Sequence, residues 1–209
     1  MEEKEAQNTL EWPFELFAEE SLNQCIFSLI SYDDLISVTK KEPFDNNRFW
    51  HSIHGFLVNV GNISKLLNLQ VTNRGRIDQN LEKVQKSLQK YFNINPTSLI
   101  ANRKLRNHFE HYDERLYEWA NNSQGSIMVT YHIGSVEKNL DDFFIPDANY
   151  KIFKRYDPET YTLEFKGDCI NLDQLSDEVL ELKNKLEEYF SYKERWHGIN
   201  INQYLIKDF

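Results

Sequence analysis

Apolar residues recur at alternating steps of four and three along most of the chain, the spacing that lines up one face of an α-helix. Pro13 suits a first helical turn. From there Ala18, Leu22, Cys25, Leu29, Tyr32 and Ile36 keep the rhythm and predict a long amphipathic helix ending near Lys40 and Lys41, before Pro43. Asp45 or Asn46 can cap a second helix, predicted over 47–69, whose stripe is Phe49, Ile53, Phe56, Val60, Ile63 and Leu67. Trp50, Leu57 and Leu66 widen that stripe, so the helix is expected to be largely enclosed. Gly55 and Gly61 lie inside it at a cost of about 1 kcal/mol each relative to Ala, which close approach of a neighbouring helix would explain. Ile77, Leu81, Val84, Leu88 and Tyr91 mark a shorter third helix, closed by Asn93-Ile94-Asn95-Pro96. Thr97 or Ser98 opens a fourth, running to about Asn121, with Leu105, Phe109, Tyr112, Leu116 and Trp119 as its core stripe.

The pattern then changes for about fifty residues. The segment 126–133 is rich in β-branched and aromatic residues and ends at Gly134, as a strand would. Segments 150–156 and 161–166 alternate apolar with polar residues across Asp157-Pro158-Glu159-Thr160, where Pro suits the second position of a type I turn. They predict an antiparallel β-hairpin, with 126–133 as a third member of a small sheet. Asn171 or Asp173 caps a last helix carrying Leu175, Val179, Leu182, Leu186, Tyr189 and Trp196. The expected fold is therefore mainly α, an up-and-down bundle with a small antiparallel sheet inserted at about 126–167. Residues 1–12 are expected to be loosely ordered and 13–209 to form a single domain.

Composition narrows the function more than the fold. The 209 residues are 40% hydrophobic and 27% charged, ordinary for a globular protein, and five Pro and seven Gly leave little for flexible linkers. A net charge of −9 argues against a general nucleic-acid coat, which needs a broad basic surface. Any phosphate-binding site must therefore concentrate its cations locally. Cys25 and Cys169 make neither a disulfide framework nor a metal spacing, and their apolar neighbours suggest reduced core thiols. No apolar run is long enough to span a membrane. The acidic start, Met-Glu-Glu-Lys-Glu, is the reverse of a signal peptide, so the expected compartment is the cytoplasm.

Chemically able residues crowd together only in the fourth predicted helix. Opposite its apolar stripe lie Asn107, Glu110 and Glu114, with Arg106 bordering that face on one side and His111 on the other. Arg106 cannot deprotonate, whereas an imidazole titrates near neutrality. Taken alone, such a face reads as a solvated helix side stitched by charge pairs. The spacing Arg106-Asn107-x-x-x-His111 resembles the signature of the HEPN superfamily, an Arg followed by a polar residue, usually Asn, with a His four to six residues later. That resemblance implies a helical-bundle fold and a metal-independent endoribonuclease acting as a homodimer on RNA, in bacterial defence or toxin systems. An antitoxin or other protein partner is implied with it, while some members of the superfamily are non-catalytic.

Arg106, Asn107 and His111 are then the expected catalytic residues, with no cofactor and no metal. His111 would serve as general acid/base, Arg106 would hold the phosphate, and Asn107 would orient the imidazole or donate to a phosphate oxygen. The toxin-type Tyr two positions after the His is missing, because Asp113 stands there. On one straight helix Arg106 and His111 would lie about 140° apart, so a two-fold axis would have to bring Arg106 of one subunit near His111 of the other. Glu110 and Glu114 would repel phosphate unless engaged by Arg103, Arg106 or Arg115. The alternative is a non-catalytic dimeric interaction or RNA/nucleotide-binding module. A metal site built from His51 and His54 with His108, His111 and Glu110 is a further reading, although the Glu-x-x-His pattern of di-iron bundles is absent. Candidate phosphate contacts beyond the motif are Arg74, Arg76, Lys83, Lys86 and Lys90, and on the hairpin Lys151, Lys154, Arg155 and Lys166.

Overall fold

The computed structural model describes residues 12–67, 79–95, 97–134 and 149–197, and for Trp12, 103–106 and 193–197 it describes the backbone alone. Ile77 and the cationic turn with Arg74 and Arg76 lie outside the described residues. The chain is mostly helical, with a small sheet before the last helix. It divides into two compact units, Met1–Ala101 with Glu178–Phe209, and Asn102–Asp177.

The first unit is helical. It holds α1 (Trp12–Thr39), α2 (Asn46–Leu66), α3 (Gln79–Tyr91) and a 3-10 turn at Leu99–Ala101. The stripe predicted for α2 is enclosed at all six positions, and α1 buries Phe14, Ala18, Leu22, Cys25, Tyr32, Leu35 and Val38. Asp45 caps α2 by accepting from the Arg48 amide at 3.0 Å. At its other end Gln85 and Gln89 of α3 donate to the carbonyls of Lys65 and Leu67 at 3.1 and 2.6 Å, satisfying acceptors that a helix terminus leaves open. The glycine expectation has a specific cause: a Cβ on Gly55 would stand 2.9 Å from Ser31 Oγ of α1. Burial pushes the Cys25 thiol well above its usual range.

The second unit builds a sheet beneath two short helices. It contains α4 (Arg103–Glu110), α5 (Tyr112–Asn122), β1 (Ile127–Ile133), β2 (Tyr150–Asp157), β3 (Thr162–Phe165) and β4 (Asp168–Asn171). The last helix, α6 (Leu172–His197), starts here and continues into the first unit. Strand order is β1-β2-β3-β4, with β1 parallel to β2 and the remaining pairs antiparallel. The sheet is therefore mixed, which corrects the all-antiparallel expectation. Parallel neighbours need a long connection, and β1 and β2 are far enough apart in sequence to allow one. The predicted hairpin is β2–β3, and Asp157 Oδ1 holds its turn by accepting from the Glu159 amide at 2.9 Å.

β4 lies beyond the predicted end of the sheet. Lys166 and Gly167 have φ of 52° and 86°, the two positive values of a tight turn matched to strand twist. Asn171 Oδ1 then caps α6 by accepting from the Gln174 amide at 2.8 Å. On β4 Cys169 is exposed, contrary to the core expectation, because a short strand alternates faces and Ile170 takes the buried one. Among the described residues no helix is long and apolar enough to cross a membrane.

Candidate functional site

The segment read as one helix is two. α4 ends at Glu110, α5 begins at Tyr112, and His111 stands between them at φ −115° and ψ 41°, outside helical values. The hydrogen bonds bracket the break: the His111 amide donates to Asn107 O and the Arg115 amide to His111 O, both at 3.0 Å. Asp113 and Glu114 in the first turn of α5 suit a helix start. The angle drawn for a straight helix does not apply across this break.

His111 is half-exposed, and its Nδ1 lies 3.5 Å from Glu114 Oε2. Asn107 and Glu110 are exposed, and Arg106 lies in α4, one residue before Asn107. Arg115 turns to Glu118, 3.2 Å away, and Lys166 also binds Glu118, so two cations hold that carboxyl below its usual range. The carboxylate beside the motif histidine is therefore Glu114, and Arg115 is engaged elsewhere.

The inward side of the same segment meets the sheet. Phe109 and Tyr112 lie edge-on to Phe165 at 5.4 and 6.2 Å, and Trp119 lies 5.0 Å from Phe153. These residues of the predicted stripe are half-buried, and the enclosed side chain is His108, at 8% exposure. Its ring lies 4.7 Å from Phe165, and its Nε2 bonds Asp168 Oδ2 at 2.8 Å. His108 and His111, three positions apart in sequence, thus serve opposite sides of the segment.

No family model, curated protein or solved structure matches this chain.

The register of the sheet sets Tyr131, Lys154 and Phe165 in one row across β1, β2 and β3. Lys154 is 6% exposed. Its Nζ lies 4.5 Å from the Tyr131 ring centre and 4.6 Å from that of Tyr112, with Phe165, Phe109 and Phe153 at 5.4, 5.6 and 5.9 Å. Burial pushes its pKa down to about 8. Ring faces pull the other way, since their negative quadrupole favours an ammonium. Burial, with a hydrogen bond to the Tyr131 hydroxyl, raises the Tyr112 phenol above its usual range.

The sequence groups Lys154 with Lys151, Arg155 and Lys166 as candidate phosphate contacts of the hairpin, and the structure separates it from the other three by its burial. Arg155 pairs with Glu164 at 2.6 Å, Lys166 binds Glu118, and Lys151 is exposed. A signal for Lys154 was present: it shares a strand face with Ile152 and Tyr156, where a solvated lysine would not be expected. In the first unit Lys86 pairs with Glu82 at 2.6 Å, and His51 and His54 are exposed on α2. Among the described residues no group of three or more His, Cys, Asp or Glu is placed to hold a metal ion.

Proposed function

We propose that the protein is a metal-independent endoribonuclease acting as a homodimer, with Arg106, Asn107 and His111 of its HEPN-like motif as the working groups. The observation that carries this reading is the position of His111, a half-exposed imidazole at the break between α4 and α5, outside the aromatic packing that takes up Phe109 and Tyr112. An acid/base group must meet solvent and substrate. Enclosure of His111 in its own chain would have argued the other way.

The chemistry proposed is transesterification within the substrate. A ribose 2′-oxygen bonds to the adjacent phosphorus as its proton passes to an imidazole, the bond from phosphorus to the 5′-oxygen breaks, and the leaving oxygen takes up a proton. A 2′,3′-cyclic phosphate and a 5′-hydroxyl result. Arg106 stabilises charge on the pentavalent intermediate, and Asn107 orients the imidazole or a phosphate oxygen. Bacterial defence or a toxin system, with a protein partner such as an antitoxin, is the setting that accompanies this reading in the cytoplasm.

A second reading, a non-catalytic dimeric interaction or RNA/nucleotide-binding module, draws support from Glu114. Its carboxylate lies 3.5 Å from His111 in a chain of net charge −9, and a carboxylate opposes phosphate. Incubation with mixed RNA in EDTA, comparing the parent with His111→Ala, separates the two. Cleavage by the parent and its loss in the variant are expected; an inert parent, or equal cleavage by both, defeats the nuclease. Glu114→Gln, by removing a charge repulsion, is expected to lower KM for RNA by a factor of about two to five. An unchanged or higher KM removes Glu114 from the site.

A further inference from the structure

A buried ammonium normally brings its own anion, because an uncompensated charge in the interior is costly. Lys154 brings none: among the described residues its contacts are the five ring faces and no carboxylate. Two other cations of the hairpin behave differently, since Arg155 is paired with Glu164 and Lys166 with Glu118. The rim of this ring cluster is open to solvent. Tyr131, the ring nearest Nζ, is 43% exposed.

We propose that Lys154, framed by Tyr131 and Tyr112, is a phosphate subsite for single-stranded RNA, with the ammonium pairing a backbone phosphate and the exposed Tyr131 ring stacking a base. This rests on the reading of the protein as an RNA binder, and not on cleavage. Stacking on an aromatic ring accepts any base, and the buried cation supplies charge locally where the whole chain is acidic. Among the described residues the titratable side chains whose rings surround Nζ are Tyr112 on α5 and Tyr131 on β1; α4, β3 and its own strand present Phe109, Phe165 and Phe153. His108 of α4 is turned to Asp168. With the Lys154 amine held at about 8, phosphate pairing is strong below that pH and fades above it.

The test uses an oligouridylate with 2′-O-methyl riboses, which lacks the attacking hydroxyl, and follows its binding by fluorescence anisotropy. The full chain is expected to bind at pH 7, and Lys154→Met to bind about tenfold more weakly or worse. Between pH 7 and 9.5 the parent is expected to lose about tenfold in affinity, while Lys154→Arg, which keeps its charge, binds at pH 7 and loses little. Tyr131→Leu, at an exposed position, should weaken binding at least fivefold. Inorganic phosphate at equal phosphate concentration should leave the strand bound; equal competition would assign the site to free phosphate and overturn the RNA subsite. The proposal also falls if the parent does not bind, if its binding ignores pH, or if folded Lys154→Met binds as the parent does. Binding with this signature but no RNA cleavage defeats the nuclease alone. Cleavage with unaltered binding by Lys154→Met defeats the subsite alone.

Discussion

Lys154 carries two opposing effects: burial of its ammonium pushes its pKa down to about 8, while the surrounding ring faces attract the charge and offset part of that desolvation. Replacing it with Met keeps the volume and removes the charge, so Lys154→Met is expected to stabilise the protein by about 1–3 kcal/mol at pH 7 in urea unfolding. The sign with pH follows. The amine falls from 10.5 to about 8 on folding, so between those values the unfolded chain holds more protons and stability of the parent rises with pH, by up to about 3 kcal/mol. Burial pushes Tyr156 and Tyr189 up to about 12, which lowers stability above pH 10 in both proteins. The difference between parent and Lys154→Met isolates the lysine, and equal pH slopes in the two would refute its buried charge. At this scale the sequence was partly legible. His108 and His111 stand three positions apart, a spacing that can put both on one side of a helix, and only the sheet, through Asp168 and Phe165, makes one enclosed and leaves the other half-exposed.

Elements dominated by their own periodicity were the legible ones. The stripe of α2 is buried at every predicted position, and Asp45 and Asn171 cap where residue type suggested. Gly55 offers a direct check of the helix contact behind it. Gly55→Leu is expected to cost about 1–3 kcal/mol through overpacking against Ser31, whereas Gly55→Ala together with Ser31→Ala should recover up to about 1 kcal/mol of helix propensity. Thermal unfolding of the two variants measures both, and a harmless Gly55→Leu would contradict the close approach. What could not be read came from contacts distant in sequence. No Pro or Gly marks the break at His111; the apolar rhythm passes through it unbroken, and the interruption becomes visible only where α4 and α5 both meet the sheet through Phe109, Tyr112 and Trp119. The parallel placement of β1 likewise depends on a crossover, and β4 on the positive φ of Lys166, a residue with no particular preference for it.

For the molecule as a whole, the proposed chemistry needs two subunits, and that requirement can be tested without a structure of the dimer. If each working site takes Arg106 from one chain and His111 from the other, neither Arg106→Ala nor His111→Ala should cleave RNA alone. Mixed and allowed to exchange, they form a heterodimer in which one site pairs the intact Arg106 of the second variant with the intact His111 of the first, and the other site has lost both. Random exchange of equal amounts makes half the dimers mixed, each with one working site of two, so about a quarter of the parent activity should return. A site contained within one chain predicts no recovery at any mixing ratio. Sedimentation at the assay concentration supplies the independent measurement: a monomeric parent that still cleaves RNA would refute the shared site while leaving His111 as the acid/base, and recovery near a quarter would fix the partner of each guanidinium as the opposite chain's imidazole.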